Sequence, residues 1–144
     1  MQAASLRLHL VTLGVDDIER AARFYEKLGM KRRVRNAEGV AFFEAGGVAL
    51  AVFGRAELAK DAKLENTKPG FGGFALAFNV KDEAEVETVL AAAEKAGGRI
   101  QKPAQRAFWG GFHGYFTDPD GHPWEVAFNP HFPFDDRGGL LLPD

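Results

Sequence analysis

Glu125, His113 and Tyr115 are the side chains of this sequence whose types and spacing could do chemistry together. Glu125 stands in Phe116–Pro130, FTDPDGHPWEVAFNP, just after Asp118-Pro119-Asp120-Gly121. That tetrad suits a type I turn, with an acceptor first, Pro second and Gly last. The aromatic and β-branched residues around it predict the two strands of a hairpin. On the outgoing strand Glu125 lies between Trp124 and Val126, so its carboxylate goes to the face opposite an apolar one. On the incoming strand Phe116 is expected to face the core, which turns His113, Tyr115 and Thr117 towards Glu125. His and Glu serve as general acid or base, and all three polar groups can orient a ligand. Just upstream, Arg106, Phe108 and Trp109-Gly110-Gly111 read as an aromatic flap at the mouth of such a cavity. Two plainer readings stand beside this one. Glu125 is then an exposed hairpin residue, or Trp109 and Tyr115 fill a closed barrel while His113 satisfies a carbonyl.

The elements that must position these residues come in a repeating order. Leu6–Val15 alternates as a strand, and Asp16 and Asp17 can cap a helix, with Glu19 placed for a capping box from Asp16. Ile18, Ala21, Ala22, Tyr25 and Leu28 form its apolar stripe, and Gly29 ends it. Three short strands follow at Lys31–Arg35, Val40–Glu44 and Val48–Phe53, with the Arg32-Arg33-Arg35 run on a solvated edge. Arg55–Gly73 is a charged linker, closed by Pro69 and three glycines, with a helical turn around Ala56–Lys63. Then Phe74–Val80 is a strand, Asp82 caps a helix with Glu85 three residues on, and Val86, Val89, Leu90 and Ala93 face inward. Strands at Arg99–Lys102, Phe112–Thr117 and Pro123–Phe128 complete a second β-α-β-β-β unit.

The halves match in detail. VTLGVDD at 11–17 pairs with LAFNVKD at 76–82, Leu28-Gly29 answers Ala96-Gly97, and Phe42 answers Phe116 as a core residue before the turn. One supersecondary unit is used twice. The expected division is a first module over 1–54, a linker over 55–73, a second module over 74–130 and a packed tail over 131–144, all in one structural domain.

A DPDG turn followed by Glu125, inside two βαβββ halves, resembles the vicinal-oxygen-chelate superfamily. That group includes glyoxalases, extradiol dioxygenases, fosfomycin-resistance enzymes and bleomycin-resistance proteins. The resemblance implies an α+β fold in which paired modules form an open, cup-shaped mixed sheet, with Thr12 among the ligand-binding residues. In the metal enzymes four positions supply His, Glu or Gln ligands. Carried over one at a time, these positions hold Leu10, Leu50 or Ala51, Ala75 and Glu125. Only Glu125 offers a donor, and one carboxylate does not make a transition-metal site. His9, beside the first position, points by alternation to the other face. The resemblance then implies a metal-free small-molecule binder with no cofactor. The alternative is a lyase, isomerase or dioxygenase working through an unlocated metal or through His113, Tyr115 and Glu125.

Composition sets the remaining bounds. The 144 residues include 13 Phe, enough to fill a core, and no Cys, which excludes disulfides, thiolate catalysis and zinc–thiolate sites. A net charge of -2 argues against nucleic-acid or anionic-membrane binding. Met1–Leu10 carries no apolar leader, so a soluble cytoplasmic protein is expected. His122 is expected to be structural or exposed and His131 a surface residue. The apolar tail Asn129–Asp144 and the open sheet edges predict a homodimer.

Overall fold

The computed structural model describes residues 5–67 and 70–144. The expectations for the first four residues and for Pro69 lie outside the described residues. The first module runs β1 (Leu10–Val15), α1 (Ile18–Lys27), β2 (Arg32–Arg33), β3 (Val40–Glu44) and β4 (Ala49–Gly54). A short helix, α2 (Arg55–Asp61), opens the linker. The second module runs β5 (Leu76–Asn79), α3 (Glu83–Lys95), β6 (Arg99–Arg106), β7 (Phe112–Thr117) and β8 (Pro123–Phe128). Each module is a four-stranded mixed sheet, ordered β1-β4-β3-β2 and β5-β8-β7-β6. In each, the first strand pairs parallel with the last and the other pairings are antiparallel.

Local chemistry explains the helices, with one correction. Asp82 caps α3 by accepting from the Glu85 amide at 2.9 Å, as expected. In α1 the cap is Asp17, accepting from Arg20 N at 3.0 Å, not Asp16. The Asp16 amide instead donates to Asp120 of the second module, which moves the start of the helix on by one. Glu19 therefore forms no capping box and pairs with both terminal nitrogens of Arg32. The arginine run is solvated only in part: Arg33 and Arg35 are exposed and pair with Glu44 and Glu26, whereas the Arg32 side chain is 11% exposed.

One continuous core joins the helix-bearing faces of both sheets. Leu13, Val15, Leu50 and Val52 enter it from the first sheet, and Phe116 and Val126 from the second. Phe24 and Tyr25 of α1 form the seam, with Phe24 against Phe116 and Tyr25 against Trp124. Phe116 faces this core as expected, but its counterpart is Phe43, 1 % exposed, and not Phe42. A turn one residue different in length shifts the parity, and Phe42 looks the other way. The tail folds back through a bridge between Phe134 and Leu140.

The Asp118–Gly121 turn closes with a 2.9 Å bond from the Gly121 amide to the Asp118 carbonyl. Gly121 takes a φ of 89°, where a side chain would be strained. The turn also locks the modules together. Asp118, 3 % exposed, accepts from the Tyr25 hydroxyl at 2.6 Å and from the amides of Asp120 and His122. Asp120 accepts from Asp16 N and Arg20, and the His122 ring donates from Nε2 to the Gly14 carbonyl at 2.8 Å. His122 is thus structural.

Burial lifts the Asp118 carboxyl above its ordinary range, opposed by the Tyr25 hydrogen bond. The folded state therefore holds that proton more tightly than the unfolded chain, so acid adds to stability through this group. At fixed protomer concentration, the urea stability of wild type relative to Asp118→Asn should grow as pH falls from neutral towards about 4. Tyr25→Phe, which orphans one side of the buried bond, should cost roughly 1–3 kcal/mol in the same assay.

Candidate functional site

The polar cluster lies on the face of the second sheet turned away from the core. β7 and β8 pair without a break from Phe112↔Phe128 to Thr117↔Pro123, so alternation holds along both. Tyr115 stands opposite Glu125, and His113 is two residues along on the same face. Gly114 between them has no room for a side chain: a Cβ there would come within 2.6 Å of Leu90 Cδ1 and 2.7 Å of the Lys102 carbonyl.

His113, 8 % exposed, is held at 2.6 Å from Glu125 Oε2 through Nδ1. A carboxylate only accepts, so Nδ1 carries the proton and Nε2 is left as an acceptor. The Tyr115 ring packs edge-on against the imidazole at 5.7 Å, and Trp109 does the same at 5.4 Å. Burial first, and then the charge of Glu125, raises the Tyr115 phenol, so it stays a neutral donor. The Trp109 ring lies against the backbone of Gly111, in space that any side chain there would occupy.

Lys102 completes the cluster, and sequence reasoning missed it. Its Nζ lies 3.4 Å from His113 Nε2. Two register shifts in β6, between Ile100 and Lys102 and between Lys102 and Gln105, bring it there. An unbroken ladder would set Gln101 opposite Tyr115, and the first extra residue sets Lys102 there instead. The available signal was Pro103, which has no amide for the ladder and so marks a bulge or an edge.

The remaining expected residues divide. Trp109 joins the cluster, as described. Arg106 pairs with Phe112, a residue of the core side, so it stands on the opposite face from His113. Phe108 is fully exposed. Thr117 shares the face of Tyr115 but sits beside Pro123, beyond Glu125. Thr12 is on the first sheet and lines a separate cavity that none of Trp109, His113, Tyr115 and Glu125 borders. His9 is exposed beside Phe42 and Glu44, and His131 is exposed in the tail.

The donor set does not fit a transition metal. Register matches Thr12↔Ala51 in the first module with Ala77↔Glu125 in the second, so Ala51 is the counterpart of Glu125. Leu10 and Ala75 are equally without donors. Among the described residues no three His, Cys, Asp or Glu side chains gather as ligands. Glu125 is already committed to an imidazole.

A family model described as Glyoxalase/Bleomycin resistance protein/Dioxygenase superfamily matches residues 7–126. The chain is 36% identical to a glyoxalase-related enzyme from Fulvimarina pelagi, over 96% of this chain and 99% of that one, with a TM-score of 0.87. A glyoxalase/bleomycin resistance protein/dioxygenase family enzyme from Burkholderia phytofirmans PsJN shares the fold at 17% identity, over 85% and 98% of the two chains, with a TM-score of 0.77. So does a lactoylglutathione lyase from Agrobacterium tumefaciens, at 23% identity over 88% and 96%, with a TM-score of 0.66.

Nickel, zinc, manganese or iron should leave the thermal midpoint of the purified, tag-free protein unmoved, because a ligand specific to the native state would raise it. Elemental analysis finding near one equivalent of any of them per chain would contradict this reading.

Proposed function

The chain belongs to the glyoxalase/bleomycin resistance protein/dioxygenase superfamily, and from that premise we propose that it binds a small, mainly apolar or aromatic compound without a transition metal. The bond between His113 Nδ1 and Glu125 carries this reading. It fixes an imidazole with Nε2 as the acceptor, which the 3.4 Å Lys102 contact meets. Beside it stand a neutral phenol and an indole face. Together they offer a donor, an acceptor, a cation and an aromatic wall within one small patch, which is the make-up of a site for a flat compound with one polar end.

One observation favours a second reading, that of a metal-free enzyme. Glu125 holds His113 as a carboxylate holds the base in proton-transfer sites, and the relative from Fulvimarina pelagi is described as an enzyme. His113 Nε2 would then take a proton from the bound compound, Glu125 would stabilise the resulting imidazolium, and Lys102 or Tyr115 would stabilise the charge left behind.

The proposal extends to a homodimer. Leu10, Leu141 and Leu142 stay exposed at 44%, 45% and 72% on the folded chain, and a second copy is the simplest cover. Sedimentation at micromolar concentration should give twice the 15.7 kDa chain mass. A monomer would contradict it.

The site is tested by NMR titration with a panel of phenols, watching the backbone amides and the His113 ring. Compounds that move it should bind about ten- to a hundredfold more weakly to Glu125→Gln and to His113→Ala, the loss of a charge-assisted hydrogen bond. The thermal midpoint of Glu125→Gln should barely change. Equal affinity in both variants would reduce Glu125 to a structural residue.

A further inference from the structure

A second cavity, of about 360 Å³, lies between the end of β1 and α2 with the loop that follows it. Its size falls in the range of small-molecule sites. Leu58 and Ala59 of α2, Leu64 beyond it and Phe74 supply apolar walls. Leu64 and Phe74 are large apolar residues left 70% and 45% exposed at this place.

Arg55 and Glu65 are the Arg and Glu of the lining. Arg55 Nε donates to Asn66 Oδ1 at 3.0 Å and its Nη2 to the Thr67 carbonyl at 3.1 Å, so neutral acceptors hold the head in place. Among the described residues no carboxylate pairs with Arg55. Glu65 borders the cavity but does not pair with it. A guanidinium has five N–H groups, and among the described residues nothing accepts from the two on Nη1. A fixed guanidinium with unused donors matches the geometry of a carboxylate. His122, also in the lining, donates its Nε2–H to the Gly14 carbonyl.

We propose that this cavity binds a small amphiphilic carboxylate, with its apolar body against Leu58, Ala59, Leu64 and Phe74 and its acid on Arg55. The site is separate from the His113 cluster and shares no residue with it. Binding would also tie α2 and its loop to β1, because Arg55 packs directly on Gly14.

The test is calorimetric titration of the full chain with naphthoate and, separately, with its neutral analogue naphthamide. Naphthoate should bind at least about tenfold more tightly than the amide, from the charge-assisted pair. Arg55→Gln should erase that preference and leave the amide where it was. Ala59→Trp, which fills the cavity, should abolish binding of both. Equal affinity for acid and amide would overturn the proposal. So would a preference that survives Arg55→Gln, unchanged affinity in Ala59→Trp, or no binding of either compound at millimolar concentration.

Discussion

The buried carboxylate of Asp118 is the constraint on which the rest of this structure depends. Taking a carboxylate out of water is costly unless hydrogen bonds replace the lost hydration. Here the Tyr25 hydroxyl and two amides of its own turn do so. Tyr25 belongs to the first module, so the bond that satisfies the turn also fixes the distance between modules. Trp124 adds a donor to the same hydroxyl at 3.2 Å, which seats the first residues of β8. Burial, followed by the charge of Asp118, pushes the Tyr25 phenol well above its ordinary range, so it remains a donor. The arrangement has a loose end. Asp120 Oδ2 and Arg32 Nε are buried without a partner, and each carries the desolvation cost of an unmade bond.

From that anchor the chemistry of the second sheet follows by parity. Trp124 and Val126 are committed to the core, so Glu125 must face away from it. Phe116 is committed likewise, so Tyr115 and His113 share the face of Glu125. A position that supplies a metal ligand elsewhere in the superfamily here orients an imidazole, because Leu10, Ala51 and Ala75 bring no further donors. The bulged β6 then adds a cation on the far side of the ring, so His113 sits between opposite charges.

Much of this was legible in the sequence because it rests on short-range rules. β7 and β8 fall where turn chemistry and alternation put them, and Asp82 caps α3 as its spacing suggests. The internal repeat located both modules, although β1 begins at Leu10 and not at Leu6, with His9 before it joined to β4 by one bond from the Ala49 amide. What escaped depends on long-range contacts. The Asp16 amide turns outward because Asp120 is waiting in the other half of the chain. Phe24 reads as off the apolar stripe of α1, yet it is buried against Phe116. Lys102 changes face through a register shift that no alternation pattern records, and a second shift returns Arg106 to the core side.

The central claim is that Glu125 is committed to His113, and the tautomer of that ring tests it most directly. Long-range nitrogen NMR reads which ring nitrogen carries the proton, recorded at alkaline pH where the spectrum no longer changes with pH. The account predicts a proton fixed on Nδ1 and a bare Nε2, with the preference lost in Glu125→Gln. A ring protonated on Nε2, or one whose tautomers average alike in wild type and Glu125→Gln, would contradict it.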